Sequence, residues 1–151
     1  MNTIDIALRI STSAHAGQLD RDGSPVVLHP LAVGLMGHTD EEKIAGFLHD
    51  VVEDTAYTFD DLLQQGIPTG IVNALRLLTR DEGISYDDYL QRIIDSENPI
   101  ALQVKYNDLQ HNYARGKAHP DLQAKHGKAL AKVKAAIEAN SKVDLYERPA
   151  D

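Results

Sequence analysis

The sequence contains no cysteine and no tryptophan. It can therefore form neither a disulfide nor a thiolate metal site, so any bound metal must be held by histidine and carboxylate side chains. No apolar run approaches the roughly 18 residues of a membrane span, and the opening MNTIDIALRI lacks the basic region and apolar stretch of a signal peptide. We therefore expect a cytoplasmic protein with no membrane partner.

Positive charge is also scarce, because 15 lysines and arginines face 23 aspartates and glutamates, for a formal net charge of −8. This balance argues against nucleic acid as a partner, since binding to its backbone needs a basic surface. With 42% hydrophobic and 25% charged residues, the 151-residue chain has the composition of a globular protein. We expect one domain over residues 1–151 and leave its oligomeric state open.

Apolar residues recur at intervals near 3.6 along almost the whole chain, whereas alternation of period two is rare. This pattern predicts an all-α protein. Thr39 with Glu42, and Ser85 with Asp88, have the spacing of helix capping boxes. We place helices at about 3–16, 30–37, 40–54, 58–65, 69–80, 85–95, 98–114 and 120–140, with a loose tail after about 142.

The stretch LHDVVEDT ends the helix predicted over 40–54. At 100° per residue, four polar side chains face away from the apolar stripe: His49, Asp50, Glu53 and Asp54. A solvated acidic face is the ordinary interpretation of such a cluster. Two features favour a metal site instead. Carboxylates at a helix C-terminus oppose the macrodipole, and the preceding Ala45 and Gly46 leave room for another segment to approach.

Two further residues could complete a metal site. His29 precedes Pro30, which suits the first position of a helix, and Asp108 lies in VKYNDLQHN on a helix with a partly apolar face. Two imidazoles and two carboxylates suit manganese, iron, zinc or a similar cation. Each residue alone is weak evidence, and no comparable signal marks the other histidines: His15, His38, His111, His119 and His126.

Four segments, HAGQLDRDGSPVVLHPLAV, AGFLHDVVEDT, LRLLTR and KYNDLQHN, carry a resemblance to a known family. Their order over roughly residues 4–115 resembles that in HD-domain hydrolases of the RelA/SpoT type, especially the stand-alone small alarmone hydrolases. The resemblance implies an all-α HD-domain bundle of about eight helices. It also implies one bound metal, usually Mn²⁺ although other divalent ions are possible, and hydrolysis of the 3′-pyrophosphate of nucleotides such as (p)ppGpp to release pyrophosphate.

The resemblance also implies roles for individual residues. His29, His49, Asp50 and Asp108 correspond to the metal ligands of the family. Glu53 and Asp54 correspond to its catalytic acidic pair, for which the alternative is merely to orient the ligands. Asn112 resembles a nucleotide contact. Three basic residues are candidates to bind phosphate, with ordinary solvent exposure as the alternative: Arg21, Arg80 and Lys105.

One turn departs from the family pattern. The family commonly has Arg then Lys where this chain has Asp20 and Arg21, and Tyr where it has Val26. Because the family's Arg lies against the guanine, we expect weak discrimination between guanine and adenine. Two alternatives stay open, namely another HD nucleotide phosphohydrolase and a non-catalytic sensor that binds metal and nucleotide. We also expect no synthetase domain, and hence a degrading enzyme only.

Overall fold

The computed structural model describes residues 2–116 and 119–147, with side chains as far as residue 141. Over these ranges the chain forms nine α-helices and one isolated β-bridge between Leu19 and Pro25, which confirms the predicted all-α class. The helices are α1 (Thr3–Ala14), α2 (Leu28–Leu35), α3 (Asp40–Leu48), α4 (Val51–Asp54), α5 (Phe59–Gln64), α6 (Thr69–Leu78), α7 (Tyr86–Ser96), α8 (Pro99–Arg115) and α9 (Pro120–Glu147).

Local sequence signals set most of the helix ends. Thr39 and Ser85 accept hydrogen bonds from the backbone N–H groups of Glu42 and Asp88, as the predicted capping residues should. The last helix continues to Glu147, beyond its predicted end near residue 140. The helix therefore covers the first residues of the loose tail predicted after about 142, and that part of the prediction is wrong. The rest stays a prediction, because residues 148–151 lie outside the described part of the chain.

The helix predicted over 40–54 is wrong, because it divides at His49 and Asp50 into α3 and α4. Asp50 has φ −104° and ψ −2°, outside regular helix geometry. The His49 ring donates from Nδ1 to the carbonyl of Gly46 at 2.7 Å. This bond competes for the oxygen that the Asp50 N–H would use in a continuous helix. Glu53 therefore lies in the first turn of α4, so the macrodipole argument for a long helix does not apply.

The start of α2 also differs from its prediction. The helix begins at Leu28, so Pro30 occupies the third helical position rather than the first. Proline is tolerated there because the first four N–H groups of a helix have no partner within the helix. The consequence is that His29 belongs to the first turn of α2 and is held by helical backbone.

Two glycines let α2 and α3 approach closely. A Cβ placed on Gly46 would lie 2.7 Å from the Cα of Gly34, and a Cβ on Gly34 would overlap the ring of Phe47. Neither position has room for a larger residue. This confirms the expectation that a small residue before His49 admits a neighbouring segment, and that segment is the helix that carries His29.

The core surrounds α8, which packs against α2, α3, α6, α7 and α9. Leu102, Val104 and Leu109 of this helix are almost completely buried. The same buried helix carries Lys105 and Asp108, two charges that need partners inside the protein. In the described part of the chain, no helix combines the length and the apolar character needed to cross a membrane.

Candidate metal centre

The four predicted metal ligands come together from three separate parts of the fold. His29 lies on α2, His49 and Asp50 lie at the junction of α3 and α4, and Asp108 lies on α8. His29 Nε2 is 2.8 Å from Asp108 Oδ1 and 3.9 Å from Asp50 Oδ2. His29, His49 and Asp50 each offer a ligand atom within 4.8 Å of the other two. The fold thus brings residues from three elements around one point.

The hydrogen bonding of the His49 ring shows whether this cluster fits a metal ion. Its Nδ1–H donates to the Gly46 carbonyl, so the other ring nitrogen carries a lone pair in the neutral ring. That Nε2 is buried and makes no hydrogen bond to any residue that the structure describes, yet it lies 3.2 Å from Asp50 Oδ2 and 3.4 Å from Asp108 Oδ1. A lone pair facing two carboxylates is repulsive unless a cation or a proton lies among them. The donor set therefore fits a divalent cation.

The two neighbouring carboxylates also change the pKa of His49 when no metal is bound. Burial alone would lower the pKa of the imidazole. The carboxylates of Asp50 and Asp108 outweigh burial and raise that pKa to about 9. The site is thus electrostatically suited to positive charge, which a proton or a metal ion can supply.

Lys105 balances the charge of Asp108. Its Nζ lies 2.9 Å from Asp108 Oδ2, and both side chains are buried. Burial would raise the pKa of Asp108, but the ammonium of Lys105 lowers it well below its usual value. Burial would lower the pKa of Lys105, and Asp108 raises it instead. Lys105 was predicted from sequence as a phosphate contact, and the structure adds this buried partner.

His111 is a member of the cluster for which the sequence offered no comparable signal. Its ring stacks on that of His29, with centroids 4.9 Å apart, and the two Nδ1 atoms are 2.7 Å apart. Burial, followed by the charge of His29, lowers the pKa of His111 to about 4. A neutral His111 can accept the Nδ1–H of His29, so that Nε2 of His29 faces Asp108. Its position one helical turn after Asp108 was the only available clue.

The predicted catalytic acids form the outer side of the cluster. Asp50, Glu53 and Asp54 offer carboxylate oxygens within 4.8 Å of one another. Glu53 Oε1 accepts the backbone N–H of Arg80 at 3.0 Å. Burial, together with repulsion by Asp50, raises the pKa values of Glu53 and Asp54 from their ordinary values. Both carboxyl groups therefore hold a proton more readily than an isolated acid does.

The four predicted substrate contacts border two cavities. Arg80 and Lys105 line the metal cavity, of about 260 Å³, together with Glu53 and Asp108. Arg21 and Asn112 line a second cavity of about 280 Å³, which we call the side cavity. Asn112 connects the two, because its Nδ2–H donates to Asp108 Oδ1 at 3.0 Å.

The unusual acid in the turn before α2 has a structural explanation. Asp20 Oδ1 accepts the backbone N–H groups of Asp22 and Ser24 at 2.9 and 3.0 Å. These backbone hydrogen bonds lower the pKa of Asp20, as does the nearby Arg115. The Arg115 guanidinium lies 3.8 Å from Asp20 Oδ2 and also lines the side cavity. Arg115 of α8 thus adds a planar cation to the cavity that Arg21 of the turn also lines.

Known proteins resemble this chain in both sequence and structure, although no protein-family model matches it. A guanosine-3′,5′-bis(diphosphate) 3′-pyrophosphohydrolase of Haemophilus influenzae is 32% identical over 126 residues, which is 74% of this chain and 18% of the relative. A probable GTP pyrophosphokinase of Mycobacterium leprae is 30% identical over 122 residues, covering 74% and 16%. The bifunctional (p)ppGpp synthase/hydrolase SpoT of Escherichia coli is 28% identical over 128 residues, covering 76% and 18%.

The chain spans less than a fifth of the length of these curated relatives. A solved structure, described as a metazoan ortholog of SpoT that hydrolyses ppGpp, superposes with a TM-score of 0.71 at 18% identity. That superposition covers 95% of this chain and 96% of the other, so the two share their fold along almost their whole length.

Proposed function

The chain is a RelA/SpoT-like HD-domain protein, and from that premise we propose that it hydrolyses the 3′-pyrophosphate of alarmone nucleotides such as (p)ppGpp and releases pyrophosphate. One observation carries the proposal. The unpartnered Nε2 of His49 faces the carboxylates of Asp50 and Asp108, directly beside a pair of acids with raised pKa values. That arrangement suits a metal-dependent hydrolysis, and a nucleotide substrate agrees with the expected cytoplasmic location.

In this proposal His29, His49, Asp50 and Asp108 hold one divalent cation, for which we propose Mn²⁺. Mixed nitrogen and oxygen donors suit that ion and other divalent metals. When bound, such a cation lowers the pKa of water and polarises a phosphoryl oxygen. Lys105 offsets the charge of Asp108, and His111 orients the ring of His29.

Glu53 and Asp54 move protons in the proposed reaction. A general base works best when its pKa lies near the working pH, and the pKa values of both acids are raised toward that range. Among the described residues, the Arg80 N–H donates to one oxygen of Glu53, and the other oxygen is available to accept a proton from the attacking water. The alternative role, to orient the metal ligands without proton transfer, predicts a much smaller loss on substitution.

Arg80 and Lys105 would meet the phosphates, since both line the metal cavity. Arg21 and Asn112 would contact the nucleoside from the side cavity. These cations matter because a protein with a net charge of −8 must attract an anionic substrate locally.

A product assay tests the proposal. Purified protein with Mn²⁺ is incubated with a panel of nucleotides that carry a 3′-pyrophosphate or a single phosphate, and pyrophosphate is resolved from orthophosphate. We expect pyrophosphate from the 3′-pyrophosphorylated nucleotides, and none from an Asp50→Asn control prepared in the same way. Orthophosphate alone would favour another HD phosphohydrolase, a reading that the altered Asp20 turn supports. Nucleotide binding without any product would favour a sensor.

A further inference from the structure

Three lysines of α9 face the same groove between that helix and α7. Lys125, Lys128 and Lys132 line a cavity of about 380 Å³ together with Ser85 and Tyr86. All three lysines are exposed. We call this cavity the lysine groove. It concentrates positive charge in a chain whose formal net charge is −8.

The lysine groove continues from the metal cavity. Tyr86 and Lys125 line both. Two cations lie near the ring of Tyr86, with Lys125 Nζ 4.2 Å and Lys105 Nζ 5.7 Å from its centroid. Since Lys105 pairs with Asp108, one aromatic ring lies next to both the buried lysine of the metal cluster and the first lysine of the groove.

Helix packing does not account for these lysines. They are spaced three and four residues apart, so they share one side of α9 and repel one another. Core contacts of the helix are made by Ala129 and Val133 instead. Among the side chains that the structure describes, none of the three lysines forms an ion pair, and Asp87 is the carboxylate that lines the groove with them.

We propose that the lysine groove binds a second phosphate or diphosphate group of the substrate, at a distance from the one that is cleaved. This inference rests on the proposed function and adds a requirement to it. A nucleotide with phosphates on both its 3′ and 5′ positions would place one group in the metal cavity and the other in the adjoining groove, whereas one with a free 5′-hydroxyl has no second group for the groove. Clustered cations along one wall attract such a group.

The kinetic test compares two substrates that differ only at the 5′ position, guanosine 3′,5′-bis(diphosphate) and guanosine 3′-diphosphate. The variant is Lys128→Gln/Lys132→Gln, which leaves Lys125 and Tyr86 unchanged beside the metal cavity. Lys134→Gln is the matched control, because this exposed lysine of α9 is not part of the groove. We expect kcat/KM for the bis(diphosphate) to fall about fivefold in the double variant. It should stay unchanged for the 5′-hydroxyl substrate and in the control.

An equal loss on both substrates, or no loss on either, would overturn the inference. A second measurement separates it from the proposed function. Calorimetric titration of the metal-free protein with guanosine 5′-diphosphate should give a dissociation constant about fivefold weaker in the double variant than in Lys134→Gln. If no 3′-pyrophosphorylated nucleotide is cleaved, the proposed function fails and this titration alone decides on the groove. Identical dissociation constants in the two variants would refute the proposal that the lysine groove binds a diphosphate group.

Discussion

The inner and outer sides of the candidate centre differ in how their charges are balanced. On the inner side, Asp108 is buried and contacts Lys105, His29 and Asn112. On the outer side, Glu53 and Asp54 crowd against Asp50, and both are partly exposed to solvent. Asp50 belongs to both sides. The inner side is therefore part of the core, whereas the outer side is presented by a four-residue helix.

This difference separates stability from chemistry. A buried ion pair that loses one partner leaves an uncompensated charge, which is strongly destabilising, whereas exposed charges interact weakly through water. Substitutions on the inner side should damage the fold and metal binding together. Substitutions on the outer side should leave the fold intact and affect the reaction.

The largest effect should come from the inner side. Asp108→Asn leaves Lys105 buried without its carboxylate, so we expect the free energy of unfolding of the metal-free protein to fall by about 3–5 kcal/mol. Asp50→Asn should lower it by less than Asp108→Asn does, because the Asp50 carboxylate is partly exposed to solvent. Both variants should lose metal binding. Urea denaturation in the presence of a chelator measures the free energy of unfolding of the two variants. Calorimetric titration with the metal measures the loss of metal binding.

A rescue variant checks the cause. Lys105→Met combined with Asp108→Leu removes both charges and should recover much of the stability, but not the metal binding. Equal stabilities of Asp108→Asn and Asp50→Asn would show that the two sides are not distinct in the way described.

On the outer side, Glu53→Gln should keep the fold, the metal and the nucleotide but lower kcat by at least about two orders of magnitude. The amide has nearly the same shape as the carboxylate but cannot act as a base. Steady-state kinetics and metal titration check this, with the exposed Glu82→Gln as control. Turnover within a few-fold of the parent would assign Glu53 only an orienting role.

A smaller effect is expected where α2 meets α3. Gly46→Ala puts a methyl group against Gly34, so it should lower the free energy of unfolding by about 1–3 kcal/mol and weaken metal affinity by separating His29 from His49. Gly70→Ala on α6 is the control, because a Cβ there meets no heavy atom of the described residues within 4 Å. Thermal or urea unfolding compares the free energies of unfolding of the two variants. Unchanged metal affinity in a destabilised Gly46→Ala would show that the helix approach does not align the ligands.

The smallest effect concerns the side cavity. If the Arg115 guanidinium lies against the purine, Arg115→Met should raise KM for the guanosine substrate by an amount equivalent to about 0.5–2 kcal/mol, with kcat little changed. The exposed Arg9→Met serves as control. An unchanged KM would indicate that Arg115 does not contact the purine, and Arg21, which lines the same cavity, would be the next residue to substitute. The predicted weak discrimination between guanine and adenine is read from the same assay with the adenosine substrate.

Much of the centre could be anticipated from the sequence because its signals are local or compositional. The absence of cysteine limits the metal ligands to histidine and carboxylate. The 3.6-residue period predicted the helices, and the small residues before His49 predicted a close neighbour. The order of the motifs predicted the family. Each of these can be read from residue type, spacing and order along the chain, without knowing which distant residues meet in the fold.

The tertiary structure decided what depends on contacts between distant residues. The predicted 40–54 helix breaks because the His49 ring takes the Gly46 carbonyl, and an amphipathic pattern contains no trace of that bond. His111 acquires significance only once α2 places His29 against it, 82 positions away in sequence. The pairing of Lys105 with Asp108 has the ordinary spacing of a surface pair. The pair matters for stability and for the charge of the metal site only because the surrounding helices bury it. Sequence spacing does not show that burial, since the removal of water from a charged group depends on the folded interior.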